Sequence, residues 1–183
     1  MPFETIFLDR DGVINRKLEG DYVKSWEEFE FLPGVRAALA ELTAARCRLI
    51  VVTNQRGVAL GLMTEAELRQ IHARMLAELA AVDARVDAVY YCPHDRHGCD
   101  CRKPLTGMFR QARRDFPAID FARSAMIGDS LSDLEAGRSL GCHTIFIGGR
   151  DQAAAVESAG GTDPHFLGIV PSLPAAVPLC LAR

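Results

Sequence analysis

Short apolar runs alternate with helix-period patterns along most of this chain, and few folds accept that order. Ile6–Asp9, Leu49–Thr53, Val86–Tyr91, Ala125–Gly128 and Thr144–Ile147 read as buried strands, with a weaker one at His165–Ile169. Helical patterns occupy Gly34–Arg46, Thr64–Ala81, Gly107–Phe116 and Leu131–Leu140. Thr64 and Glu67 form a capping-box pattern, after which Leu68, Ile71, Met75 and Leu79 mark one helical face. His72 flanks that face and is expected to be a boundary packing residue. Such alternation predicts an α/β architecture, a doubly wound parallel sheet with helices on both faces. Ligands of such sheets bind beyond the carboxyl ends of the strands. There is no internal repeat, low-complexity segment or second domain, so residues 1–183 are expected to form one domain. The segment from Gly148 to Asp163, rich in Ala and Gly, reads as a surface helix and loop.

Composition narrows the classes. Of 183 residues, 49% are hydrophobic, which is ample for a core. The net charge of −3 argues against a nucleic-acid surface. Met1-Pro2-Phe3-Glu4 lacks the basic and apolar regions of a signal peptide. The apolar stretch Ile169 to Ala182 is broken by Pro171, Pro174 and Pro178, so no membrane span is expected. A cytoplasmic monomer acting on a small molecule is the expectation. Cys47, Cys142 and Cys180 are scattered and read as small buried hydrophobes, whereas Cys92, Cys99 and Cys101 cluster.

Polar clusters fall at or just after strand ends. Asp9 and Asp11 lie two residues apart after Ile6-Phe7-Leu8, a spacing that turns both to one side, and Gly12 allows a sharp turn behind them. Paired carboxylates need a cation or a proton. Thr53-Asn54-Gln55 follows the second strand, and Gly128-Asp129-Ser130 follows the fourth, with Asp133 four residues beyond Asp129. Arg102-Lys103-Pro104 would reach the same edge from a loop. Each cluster alone is an ordinary turn, cap or solvated charge; together they supply what phosphoryl transfer needs. One carboxylate attacks, splitting a very slow hydrolysis into two easier steps. A hard cation, Mg²⁺, fits between Asp9 and Asp129. Lys103 adds a fixed charge and Thr53 a hydroxyl donor. Asp11, crowded by anions, is expected to have a raised pKa and to serve as acid and then base.

Cys92-Pro93-His94 and Cys99-Asp100-Cys101 offer three sulfurs and an imidazole within ten residues, a set suited to a closed, structural Zn²⁺ site. His97 could compete, but His94 mirrors the spacing of Cys99 and Cys101. Such a knot would aim Arg102 and Lys103 at the phosphate pocket.

The order Leu8-Asp9-Arg10-Asp11-Gly12-Val13, Val52-Thr53-Asn54, Lys103, then Gly128-Asp129 with Asp133, resembles the haloacid dehalogenase (HAD) phosphatases from Ile6 to about Gly149. The resemblance implies Asp9 as nucleophile and Asp11 as acid/base. It implies Mg²⁺ on the Asp9 carboxylate, the Asp11 backbone carbonyl and Asp129, in a cap-less, open site. The zinc loop, Thr53-Asn54-Gln55, Asp21-Tyr22-Val23 and Phe31-Leu32-Pro33-Gly34 look like the heptose 1,7-bisphosphate 7-phosphatases. That resemblance implies removal of a C7 phosphate in nucleotide-heptose synthesis, with Arg102, the Thr53–Arg56 segment, Tyr22 and Ser130 as substrate contacts. Arg56, Ser130 and the short loop between His94 and Cys99 depart from that family's pattern. Histidinol phosphate is the rival substrate. A phospho-acceptor signalling domain and a catalytically dead, zinc-stapled interaction module are readings from other classes.

Overall fold

The structure, a computed structural model, describes residues 2–149, Gln152, Val156 and 163–182. Six parallel strands form one sheet in the order β3-β2-β1-β4-β5-β6. They are β1 (Thr5–Leu8), β2 (Arg48–Asn54), β3 (Ala88–Cys92), β4 (Ser124–Gly128), β5 (His143–Ile147) and β6 (Phe166–Val170). All six expected strands are present, with ends displaced by one or two residues. The expected surface helix and loop from Gly148 to Asp163 lies mostly outside the described residues.

Alternation along β1 divides the core. Ile6 and Leu8 face a cluster that includes Leu39, Ile71 and Val177, whereas Phe7 faces Phe109, Ile50 and Met126 on the other side. The first face is covered by α1 (Val35–Ala44), α2 (Glu65–Ala80) and a C-terminal helix α5 (Leu173–Leu181). The second is covered by α3 (Gly107–Asp115) and α4 (Leu131–Ser139). Leu68, Ile71, Met75 and Leu79 are buried along α2, and the Thr64–Glu67 capping box forms as its spacing implies.

Helix α5 was not among the expected elements, because Pro174 and Pro178 disguise it. Pro174 sits in the first turn, where no amide hydrogen is needed; Pro178 lies inside the helix. Burial of Leu173, Ala176, Val177 and Cys180 offsets the lost hydrogen bond. No described helix is long and apolar enough to cross a membrane.

Strand order reverses between β1 and β4, and the crevice above their carboxyl ends is where this topology accepts a ligand. Between β1 and α1 the chain adds a short loop, bridged through Asn15 to Asp11 and Phe31, with one helical turn at Trp26–Glu28. Among the described residues there is no separate cap.

Candidate active site

A cavity of about 240 Å³ opens at that crevice, lined by Asp9, Asp11, Lys17, Thr53, Arg102 and Asp129 among others. A larger hollow of about 550 Å³ lies at the opposite, amino-terminal edge of the sheet, around Arg46, Arg48 and Arg85. The cluster of three carboxylates, Asp9, Asp129 and Asp133, lies instead at the smaller cavity, which chemistry therefore selects.

Asp9 follows β1, and its backbone N–H donates to the Ile127 carbonyl at 2.9 Å, tying the turn to β4. Its carboxylate lies 3.0 Å from Lys103 Nζ. Burial raises Asp9 to about 7; Lys103 opposes this, and Asp133, Asp129 and Asp11 add to it. Lys103 is buried, with Nζ also 2.6 Å from Asp133 and donating to the Val52 carbonyl at 2.7 Å. Burial disfavours that ammonium, but Asp133 and Asp9 outweigh it and hold Lys103 charged.

Carboxylate oxygens of Asp9, Asp129 and Asp133 lie within 4.8 Å of one another. Asp133 is committed to Lys103 and to the Ser130 amide and hydroxyl, as the capping box of α4. Asp129 differs: its Oδ1 is buried without a hydrogen-bond partner. Burial raises its pKa, against the pull of Lys17. An orphaned carboxylate oxygen beside a second carboxylate is the hard-oxygen environment that suits Mg²⁺. Gly12, at φ 85°, lets the turn approach closely; a side chain there would overlap the Asp129 carboxylate.

Asp11 departs from expectation. Its carboxylate turns away from the acidic cluster and receives Arg10 Nη2 at 3.0 and 3.1 Å, Asn15 Nδ2 at 2.9 Å and Gln55 Nε2 at 2.8 Å. Burial alone would raise it, but Arg10 and these amides hold Asp11 below the usual carboxylate range, the reverse of the shift read from sequence. The anions crowd Asp9 instead.

Arg10 and His72 are the functional neighbours that sequence reasoning missed. Arg10 is fully buried, and its Nη1 lies 3.1 Å from His72 Nε2. Burial, with the Arg10 charge, pushes His72 down to about 3, so its ring is neutral and Nε2 accepts. The folded state therefore refuses a proton that the unfolded chain takes up below about pH 6.5. The His72 contribution to stability should fall as pH drops from 6.5 towards 3, by at most about 1.4 kcal/mol per unit. Between pH 6.5 and 5 the melting temperature of His72→Gln, whose amide oxygen can still accept from Arg10, should rise relative to that of the native protein at the same pH.

The Thr53–Arg56 segment divides its roles. Thr53 accepts from Gln55 Nε2 at 2.9 Å, leaving its own hydroxyl hydrogen free to donate into the cavity. Asn54 borders the cavity, yet its amide is used on Lys103: Nδ2 donates to the Lys103 carbonyl at 3.1 Å, and Oδ1 accepts the Lys103 amide at 3.0 Å. Gln55 is buried behind Asp11, donates to its carboxylate and is not part of the cavity wall. Arg56 is drawn to Asp95 at 2.6 Å and is absent from the cavity wall. Tyr22, Arg102 and Ser130 line the cavity, and Arg102 Nη1 is buried without a partner.

Cys92, His94, Cys99 and Cys101 converge within 4.8 Å, with His94 Nδ1 3.2 Å from Cys101 Sγ and Cys92 Sγ 3.6 Å from Cys99 Sγ. His94 is the imidazole in the group; His97 is not. Burial, then Cys92 and Cys99, push the Cys101 thiol far above its usual range, a crowding that a bound cation would relieve. The cluster is compatible with tetrahedral zinc.

Comparison with known proteins agrees with this geometry. A HAD-hydrolase-like family model matches residues 100–176. The D-glycero-alpha-D-manno-heptose-1,7-bisphosphate 7-phosphatase of Mycobacterium bovis is 40% identical over 160 residues, 84% of each chain. The D-glycero-beta-D-manno-heptose-1,7-bisphosphate 7-phosphatase of Salmonella typhi is 41% identical over 177 residues, 91% of this chain and 93% of the other. A crystal structure of D,D-heptose 1,7-bisphosphate phosphatase from B. bronchiseptica, complexed with magnesium and phosphate, superposes with a TM-score of 0.86 at 37% identity, covering 98% of both chains. The chain belongs to the heptose-1,7-bisphosphate 7-phosphatase family of HAD-like phosphoric monoester hydrolases.

Proposed function

We propose that this protein removes the C7 phosphate of a D-glycero-D-manno-heptose 1,7-bisphosphate through an aspartyl-phosphate on Asp9. The observation that carries the substrate reading is Arg102, a guanidinium in the cavity wall with a buried, unpartnered Nη1 next to Lys103. Its fork suits a second phosphate.

Asp9 attacks phosphorus, and the P–O bond to C7 breaks. Asp11 gives its proton to the departing alkoxide. The free site holds Asp11 ionised, so that proton enters with the substrate, a phosphate monoester whose second ionisation lies near pH 6. Asp11 then takes a proton from the water that attacks the phosphoenzyme, releasing phosphate and Asp9. Lys103 and the Thr53 hydroxyl hold the transferred oxygens, while Arg10, Asn15 and Gln55 fix the orientation of Asp11. Asp9, Asp129 and the Asp11 carbonyl would hold Mg²⁺, which supplies charge neutralisation between phosphate and nucleophile.

A phosphate-release assay in Mg²⁺ tests the substrate. The heptose 1,7-bisphosphate should exceed histidinol phosphate in kcat/KM by at least about tenfold, the scale of one charge-assisted contact. Equal turnover of the two would remove the reading. The relatives' names divide between the alpha and beta anomers at similar identity, so both belong in the assay.

The Cys/His cluster is proposed to bind one structural Zn²⁺ per chain. Metal analysis should find it in the purified protein, and Cys99→Ser should lose most of the zinc and, through Arg102 and Lys103, most of the activity. Full retention of both would exclude a zinc role. The reading is of one domain acting in the cytoplasm as a monomer, with no nucleic-acid or membrane partner.

A further inference from the structure

Lys17 has no counterpart in the motifs above. It lies in the loop after β1, and its Nζ is 2.6 Å from Asp129 Oδ2. The lysine side chain is 47% exposed and the aspartate 14%. Lys17 also belongs to the wall of the cavity that holds Arg102 and Lys103. These three are the cations on that wall among the described residues. Lys103 is held at the nucleophile's end of the cavity by Asp9, Asp133 and the Val52 carbonyl, where it serves the transferred phosphoryl group. A bisphosphate brings two strongly anionic groups, and Arg102 alone faces the second. Ser130, on the far side of Asp129, adds no charge, and its hydroxyl is already bonded to Asp133 and Ser132.

Asp129 is also where a divalent cation would find an orphaned oxygen. A carboxylate that binds such a cation holds an ammonium less strongly, because its charge is already matched. Lys17 sits on a four-carbon stem with half its side chain in solvent, so its head can turn without disturbing packing.

We propose that Lys17 is a specificity-determining cation of this cavity: its ammonium matches Asp129 when no divalent ion is there, and turns to the non-transferred phosphate of the substrate when one is. The second half rests on the bisphosphate reading; the first does not.

Two measurements on Lys17→Met separate them. Calorimetric titration of metal-free protein with Mg²⁺ alone should show about three- to fivefold tighter binding in the variant, the scale of a half-exposed ion pair that no longer competes. The KM ratio between heptose 1,7-bisphosphate and heptose 7-phosphate should shift by about tenfold against the bisphosphate, with Lys17→Arg restoring most of it. Unchanged or weaker Mg²⁺ binding would overturn the competition at Asp129. An unshifted KM ratio, in a protein that does hydrolyse the bisphosphate, would overturn the substrate contact. Failure of the native protein to hydrolyse any bisphosphate would instead remove the functional reading, and the Mg²⁺ titration would still decide the first half.

Discussion

Asp9→Asn should retain the fold and lose phosphatase activity by on the order of 10³-fold or more, since an amide cannot carry the phosphoryl group between the two steps. The change is nearly isosteric: of the Asp9 side chain's partners, the Arg10 amide at 2.7 Å can still donate to the asparagine oxygen, and Lys103 keeps Asp133 and the Val52 carbonyl. Stability should respond in a direction that a surface acid would not give. Burial and three neighbouring carboxylates raise Asp9 to about 7, so the folded state holds a proton there that the unfolded chain has released above about pH 4. The contribution of Asp9 to the stability of the metal-free protein should therefore fall as pH rises from about 4 to 7, and the asparagine variant should gain on the native protein across that range. Single-turnover phosphate release and melting curves at pH 5 and 8 check both. Near-native turnover would exclude Asp9 as nucleophile.

Lys103→Met should be the most damaging single change to both fold and function. It leaves Asp9 and Asp133 buried without their shared cation, and Asp133 is completely inaccessible. Breaking a buried pair from one side costs about 3–5 kcal/mol, enough to threaten folding at 37 °C. Lys103→Arg keeps the charge, but a planar fork does not fit a point that three oxygens surround. Arginine should restore part of the stability and little of the activity. Denaturant midpoints and steady-state kinetics on the two variants separate charge from shape. A methionine variant as stable as the native protein would mean that the two carboxylates do not depend on this ammonium.

The parts of this fold legible in sequence were those carried by periodicity. The strands announce themselves as apolar runs, and α2 by its capping box and its stripe from Leu68 to Leu79. Helix α5 was hidden because its signal is burial, whereas Pro174 and Pro178 signal the opposite locally. At the site, the polar residues of the cavity were visible, because Asp9, Thr53, Lys103 and Asp129 each sit at a strand end or beside the Cys/His loop. What the spacing concealed was side-chain direction. Asp11 turns to Arg10, Asn15 and Gln55, which inverts its expected pKa shift. Arg10 carries no assigned role in the motif and His72 reads as packing, and their contact spans 62 positions that no local pattern links. Arg56 was placed at the substrate by its neighbours in sequence and is drawn off by Asp95 in space.

The reciprocal amide bonds between Asn54 and the Lys103 backbone bear on how this protein reaches its working form. They join positions 49 apart, as Arg10 and His72 join positions 62 apart and Lys17 and Asp129 positions 112 apart. Helices form from near neighbours within microseconds, whereas closures of this range wait for the sheet to assemble. The machinery for hydrolysis is thus expected to be completed after the helices during refolding, together with the sheet. Helical circular dichroism would recover first and turnover last, and the interval between them times the docking of the Cys/His loop onto β2.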